Sequence, residues 1–169
     1  MQIPAMARPA ASPQDKEAQL FAELYEPLRR FAAVVGPIEV EPEDLLQEAV
    51  VRVLQRRHLT DLDEPGAYLR RAIVNLASNH RRHFAVRRKA MQTLRADSGS
   101  TRDEYPSDLA ELGSLAPHER AALYLSQVEG YRYAEIAQML GCSEAAARKR
   151  TMRARRRLVH VSAEETANG

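Results

Sequence analysis

The chain has 169 residues, enough for one ordinary domain or two small ones. Aliphatics are plentiful, aromatics make up 5% and Trp is absent, a balance that favours helices over sheets. The formal net charge of +2 is modest, the single Cys142 excludes an intrachain disulfide and any multi-cysteine metal site, and no apolar run approaches the roughly 18 residues of a membrane span.

The charge is segregated along the chain. Residues 39–64 hold eight acids, whereas 65–96 hold eight Arg or Lys and no acid. Residues 97–111 turn acidic again, and seven of the ten residues 148–157 are Arg or Lys. Blocks of alternating sign point to separate surfaces for separate partners, one of them a nucleic acid.

The first 15 residues, rich in Pro, Ala and Ser, read as a disordered leader with Met6 as a second candidate start. They lack the apolar block of a signal peptide, so the expectation is a cytoplasmic protein. Over 16–35, Leu20, Leu24, Leu28, Phe31 and Val35 fall on one helix face, and Pro27 marks a kink or a break. Pro42, Glu43 and Asp44 suit a helix first turn. In the helix they open, Leu45, Leu46, Ala49, Val50, Val53 and Leu54 make the inner face, with Asp44, Gln47, Glu48 and Arg52 outside.

HLTDLDEPG is a loop. The helix after it turns Tyr68, Leu69, Ala72, Ile73, Leu76 and Ala77 inward, while Arg71, Asn75, Asn79 and Arg82 project elsewhere. The pair His80 and His83, with flanking arginines and no nearby carboxylate expected, is a poor metal site. Residues 92–108 are a polar acidic linker, of a length uncommon inside one compact domain. Helices follow over LAELGSL, PHERAALYLSQVEG, YAEIAQMLG and SEAAARKRTMRARRRLV.

The last two of these carry the most specific local signal. Ile136, Ala137 and Leu140 share a face, Gly141 supplies a left-handed helix end and Ser143 caps the next helix. Ala147, Thr151, Ala154 and Leu158 form its narrow inner stripe, leaving Arg148, Lys149, Met152, Arg153 and Arg156 outside. That order is a helix-turn-helix, whose second helix enters the major groove N-terminus first. The plainer alternative is a solvated basic helix packed on its neighbour, but such a tail needs no turn of this kind.

With these elements in place, the sequence resembles the extracytoplasmic-function group of bacterial sigma factors, which keep only regions two and four of the sigma-70 family. LAPHERAALYLSQVEGYRYAEIAQMLGCSEAAARKRTMRARRRL resembles region four, EDLLQEAVVRVLQR region 2.2, and PGAYLRRAIVNLASNHRR regions 2.3 and 2.4. The likeness covers about residues 17–160 in order. It departs at Tyr68, where the family often has Trp; at Asn79, where many members have Asp; at Ala146 and Ala147, where Thr-Val is usual; and at Lys149 and Thr151. The promoter sequence therefore cannot be borrowed from a relative.

The resemblance implies an all-α protein of two small domains, region two over 16–91 and region four over 109–161. A flexible acidic linker over 92–108 would join them, with a disordered tail over 162–169. It implies no catalytic residue, metal or cofactor. Core RNA polymerase, through its beta-prime and beta subunits, is the expected partner, with Asp44, Gln47, Glu48 and Arg52 meeting the largest subunit. Promoter DNA is the second partner. Arg70, Arg71, Asn75, Asn79, His80, Arg81 and Arg82 are placed at the minus-ten element, where strand capture needs cations and groups that bond base edges.

Ser143, Arg148, Lys149, Met152 and Arg153 are placed at the minus-thirty-five element, where Arg bidentate to guanine is the commonest specific contact. Arg155, Arg156 and Arg157 are expected on phosphates. An anti-sigma factor, which holds many relatives inactive, joins the expected partners. The competing reading is an autonomous helix-turn-helix regulator that never meets polymerase. It leaves EDLLQE and the acid-free 65–96 block unexplained. An enzyme lacks any nucleophile–base constellation, Gly-rich phosphate loop or HExxH.

Overall fold

Ser12 opens the first helix. Its hydroxyl accepts from the Asp15 N–H at 3.1 Å while the Asp15 carboxylate accepts from the Ser12 N–H at 2.9 Å, and Pro13 fills the first helical position. A computed structural model of the chain describes residues 12–94 and 114–167. The first part holds α1 (Pro13–Val35), α2 (Pro42–Leu54), a 3-10 turn (Leu59–Asp61) and α3 (Pro65–Leu94). The second holds α4 (Pro117–Gln127), α5 (Tyr133–Leu140) and α6 (Glu144–Ala167). No strand occurs among the described residues.

Several limits differ from those expected. α1 begins within the assumed leader and runs unbroken past Pro27. α3 continues to Leu94 and α6 to Ala167, beyond the domain limits at 91 and 161. The helix expected over LAELGSL lies almost wholly outside the described residues, as does the linker after Leu94.

α1, α2 and α3 pack around Leu28, Phe31, Val35, Leu45, Leu46, Ala49, Leu69, Ile73 and Leu76, all buried. The loop before α3 is fastened to α1 twice: Leu59 is buried, and its N–H donates to the Glu17 carboxylate at 2.7 Å. In the second part α4, α5 and α6 close on Ala121, Leu125, Ile136, Leu140, Ala147 and Ala154. These clusters are continuous: Phe31 meets Tyr124 edge to face at 6.0 Å, and buried residues of both parts, Val74 and Ala121 among them, form one cluster.

Two inner-face expectations are corrected. Leu54, at the end of α2, is 42% exposed, and Tyr68 is 40% exposed. A broad apolar stripe exceeds what one neighbour can cover, so its edge residues reach solvent. No helix among the described residues is long and apolar enough to cross a membrane.

Candidate nucleic-acid and protein interfaces

The helix-turn-helix is built as its residues dictate. Gly141 closes α5 at φ 61°, ψ 47°, and the Cys142 N–H reaches back to the Ala137 carbonyl at 3.0 Å. A residue with a Cβ resists this left-handed geometry, and here it would also collide with the Arg71 guanidinium. The Ser143 hydroxyl then accepts from the Ala146 N–H at 3.1 Å and starts α6. Ala147, Thr151 and Ala154 are buried, and the Thr151 hydroxyl is satisfied by the Ala147 carbonyl at 3.2 Å.

With that stripe inside, Arg148, Lys149, Met152 and Arg153 are all exposed on the opposite side. Arg148 is held in place by Glu144 at 3.2 Å and by the Tyr133 ring at 5.3 Å. Arg155 and Arg156 continue the outward rows one heptad later. Arg157 does not: its Nη1 donates to Glu119 at 3.1 Å, and that carboxylate also accepts the Ala116 N–H at the start of α4. It therefore staples α6 to α4.

The expected minus-ten residues separate onto three sides of α3, as a 100° step per residue requires. Asn75 and Arg82 lie on an outer stripe with Tyr68 and Arg71, and the Arg82 Nη2 donates to Asn79 at 2.7 Å. Tyr68, Arg71 and Asn75 line a cleft of about 610 Å³ with Arg52 and Arg56 of the preceding segment. His80 turns to α2, giving Nε2 to Glu48 at 2.9 Å. A carboxylate does therefore stand beside HRRH, contrary to expectation. Among the described residues, however, no group of three or more His, Cys, Asp or Glu is placed to hold a metal. Arg70 and Arg81 turn to the other half of the molecule, and Arg70 is buried there at 8% exposure.

On α2, Asp44 and Gln47 are exposed and Glu48 is half-buried. Partial burial would raise the Glu48 carboxyl, but the His80 hydrogen bond and the Arg52 charge outweigh it and hold the group below its ordinary value. The Arg52–Glu48 bond is 2.6 Å. Val51 and Leu54 stand exposed beside these charges, a mixture of apolar and polar groups suited to a protein partner.

This arrangement has known counterparts. Residues 20–88 match the Sigma-70 region 2 family and residues 109–158 the Sigma-70, region 4 family. RNA polymerase sigma factor CarQ of Myxococcus xanthus is 31% identical over 151 residues, covering 83% of this chain and 85% of CarQ. ECF RNA polymerase sigma factor EcfG of Rhodopseudomonas palustris is 28% identical over 141 residues, covering 78% and 76%. A sigma factor RpoE from Bartonella quintana, solved in complex with the anti-sigma factor NepR, shares the fold with a TM-score of 0.56 at 20% identity. That match covers 86% of this chain and 96% of RpoE. The fold and its two modules thus define a transcription-initiation factor of the sigma-70 type. More narrowly, the chain belongs to the extracytoplasmic-function group of RNA polymerase sigma factors.

Proposed function

We propose that the chain binds bacterial core RNA polymerase and directs it to promoters in the cytoplasm, with the work divided between a first domain over 16–91 and a second over 109–161. Asp44, Gln47, Glu48 and Arg52 meet the largest subunit, joined by the exposed Val51 and Leu54. The outer stripe of α3, with Arg71, Asn75, Asn79 and Arg82, takes the unpaired strand at the minus-ten element.

α6 enters the major groove at the minus-thirty-five element. Lys149, Met152 and Arg153 read base edges there, Arg148 is steered by Tyr133, and Arg155 and Arg156 lie on phosphates. Ser143 acts as the cap that aims the helix. The protein contributes no bond chemistry of its own. An anti-sigma factor, such as the one bound by the Bartonella quintana neighbour, is a partner the same surfaces would accept.

The observation that carries the reading is the outward row on α6, held in a fixed rotation by its small inner stripe. The competing reading, a regulator independent of polymerase, leaves the exposed patch on α2 without a role. Run-off transcription with purified core polymerase separates the two. The sigma reading expects promoter-dependent transcripts, weakened when Asp44 and Glu48 are reversed to Lys with the helical content intact. A protein that neither binds core nor starts any transcript sinks it.

A further inference from the structure

The cleft between α2 and α3 has two walls of unequal firmness. Tyr68, Arg71 and Asn75 form one wall, and their helix is fixed by the buried Leu69, Ile73 and Leu76. The other wall is Arg52, Gln55 and Arg56. Only Arg52 belongs to α2, since Gln55 and Arg56 lie past its end at Leu54. Their N–H groups still reach back to the Val51 and Val53 carbonyls, at 3.0 and 2.9 Å. From His58 the chain leaves this support and crosses to the start of α3 at Pro65.

That crossing is held from α1. The Glu17 carboxylate accepts the Leu59 N–H at 2.7 Å through Oε1, and its Oε2 stands 3.4 Å from His58 Nδ1. The Leu59 side chain is 1% exposed and locked in its own right. Its N–H opens the 3-10 turn and so has no acceptor within that turn. Glu17 supplies the missing acceptor, and an ionised one makes a stronger bond than a neutral one. The His58 ring is 74% exposed, so its contact with Glu17 adds little.

We infer that Glu17 is a positioning residue for strand capture. It holds the His58–Leu59 backbone, and through it the Gln55–Arg56 wall, at the distance from Tyr68 and Arg71 that an unpaired strand needs. The inference rests on the assignment of α3 to strand binding. It goes beyond that assignment by giving a part in it to a residue of α1, outside every surface named above.

This role is separable from stability. α1 joins the core through Leu28, Phe31, Ala32 and Val35, which begin about three turns beyond Glu17. Without the carboxylate the three helices keep that core and Leu59 keeps its apolar seat, while the crossing loses the bond that fixes its backbone. A recognition site depends on such support, because groups loosened by about 1 Å no longer meet their ligand.

The test uses the full chain with purified bacterial core polymerase. The probe is a fork DNA, duplex upstream and single-stranded downstream, selected by the parent holoenzyme from a pool randomised in both parts. Glu17→Ala should weaken binding of this fork about tenfold, comparable to the loss of one stacked base, with core affinity and helical content unchanged. Glu17→Gln keeps an acceptor for the Leu59 N–H and should bind within about twofold of the parent. Glu23→Ala, which removes the same charge from an exposed position on α1, should be neutral. Arg56→Ala should weaken binding in the parent and far less in Glu17→Ala, since Glu17 acts through that wall.

A Glu17→Ala protein that binds the fork as Glu23→Ala does overturns the positioning role while strand binding stands. So do additive losses in the double variant, or a Glu17→Gln protein as weak as Glu17→Ala. Loss of helical content in Glu17→Ala makes the residue a requirement of the fold and overturns the role as well. If the parent holoenzyme retains no fork in preference to the same DNA fully paired, the assignment of α3 to strand capture fails, and the positioning role with it.

Discussion

Along α3 the arginines are divided among neighbours, whereas along α6 they are mostly displayed. Arg70 and Arg81 end on acceptors in the other half of the molecule, while Lys149, Arg153 and Arg156 stand exposed. The two runs look alike in composition. They differ in how many sides of the helix are covered. α3 packs against α1 and α2 on one side and against α4 and α5 on another, so cations on the second side must find partners inside the protein. α6 buries one narrow stripe, half-buries Ala146, Arg150 and Leu158 at its edges, and leaves the opposite side open. A basic run therefore predicts how many cations a helix carries; the number of flanking elements determines which of them can meet a ligand.

The largest effect expected from this contrast is on stability. Arg70→Ala leaves Glu129 half-buried without its cation and should lower the free energy of unfolding by about 1.5–3 kcal/mol, read from urea denaturation. Arg153→Ala should stay within about 0.5 kcal/mol of the parent protein. Equal losses would remove the distinction between the helices.

A smaller contrast lies inside α6 itself. Arg156→Ala should reduce the slope of log affinity for duplex DNA against log salt by about 1, as loss of one phosphate contact does. Arg157→Ala should leave that slope nearly unchanged and cost up to about 1 kcal/mol of stability, because its partner is Glu119. The reverse result would return Arg157 to the DNA face.

The smallest effect is on pH dependence. His118 of α4 donates Nδ1–H to the Ser78 hydroxyl oxygen of α3 at 3.2 Å, since that hydroxyl donates to the Val74 carbonyl at 2.8 Å. Burial, and then the charge of Arg150, hold His118 below its ordinary value of 6.5. The unfolded chain thus takes up this proton first. The contribution is complete above pH 6.5 and is lost as the pH falls through the depressed value. Melting curves from about pH 8 to about pH 5.5 should show a decline that His118→Gln flattens. A decline of the same size in both proteins would assign it to other groups.

Much of this was legible in the sequence. The helices came from periodicity, and the helix-turn-helix came from Gly141, Ser143 and the small stripe of α6. The polar face of α2 was also legible, though its exposed Val51 and Leu54 were not, because an apolar residue at the edge of a stripe has the same period as one in the core. The two-sided packing of α3 was hidden for a related reason. A search for one inner face finds Leu69, Ile73 and Leu76 and assigns Arg70 to solvent. The signal that could have shown otherwise is the second row of Arg70, Val74, Ala77 and Arg81, spaced by four, three and four, which places an aliphatic pair between two arginines. Arg120 sits next to Ala121 and Ala122, a context that already argues for a buried cation with a backbone acceptor.

The inner stripe of α6 has a consequence for how such a protein can change. Ala147, Thr151 and Ala154 fix the rotation of the helix by being small, since any turn about its axis would bring a long cation into a space sized for a methyl group. The outward positions do not take part in that constraint. Lys149, Met152 and Arg153 can be exchanged for other side chains with the backbone and the packing left as they are. If the proposed reading of α6 holds, a new DNA preference is then a matter of three or four surface substitutions on an unchanged frame.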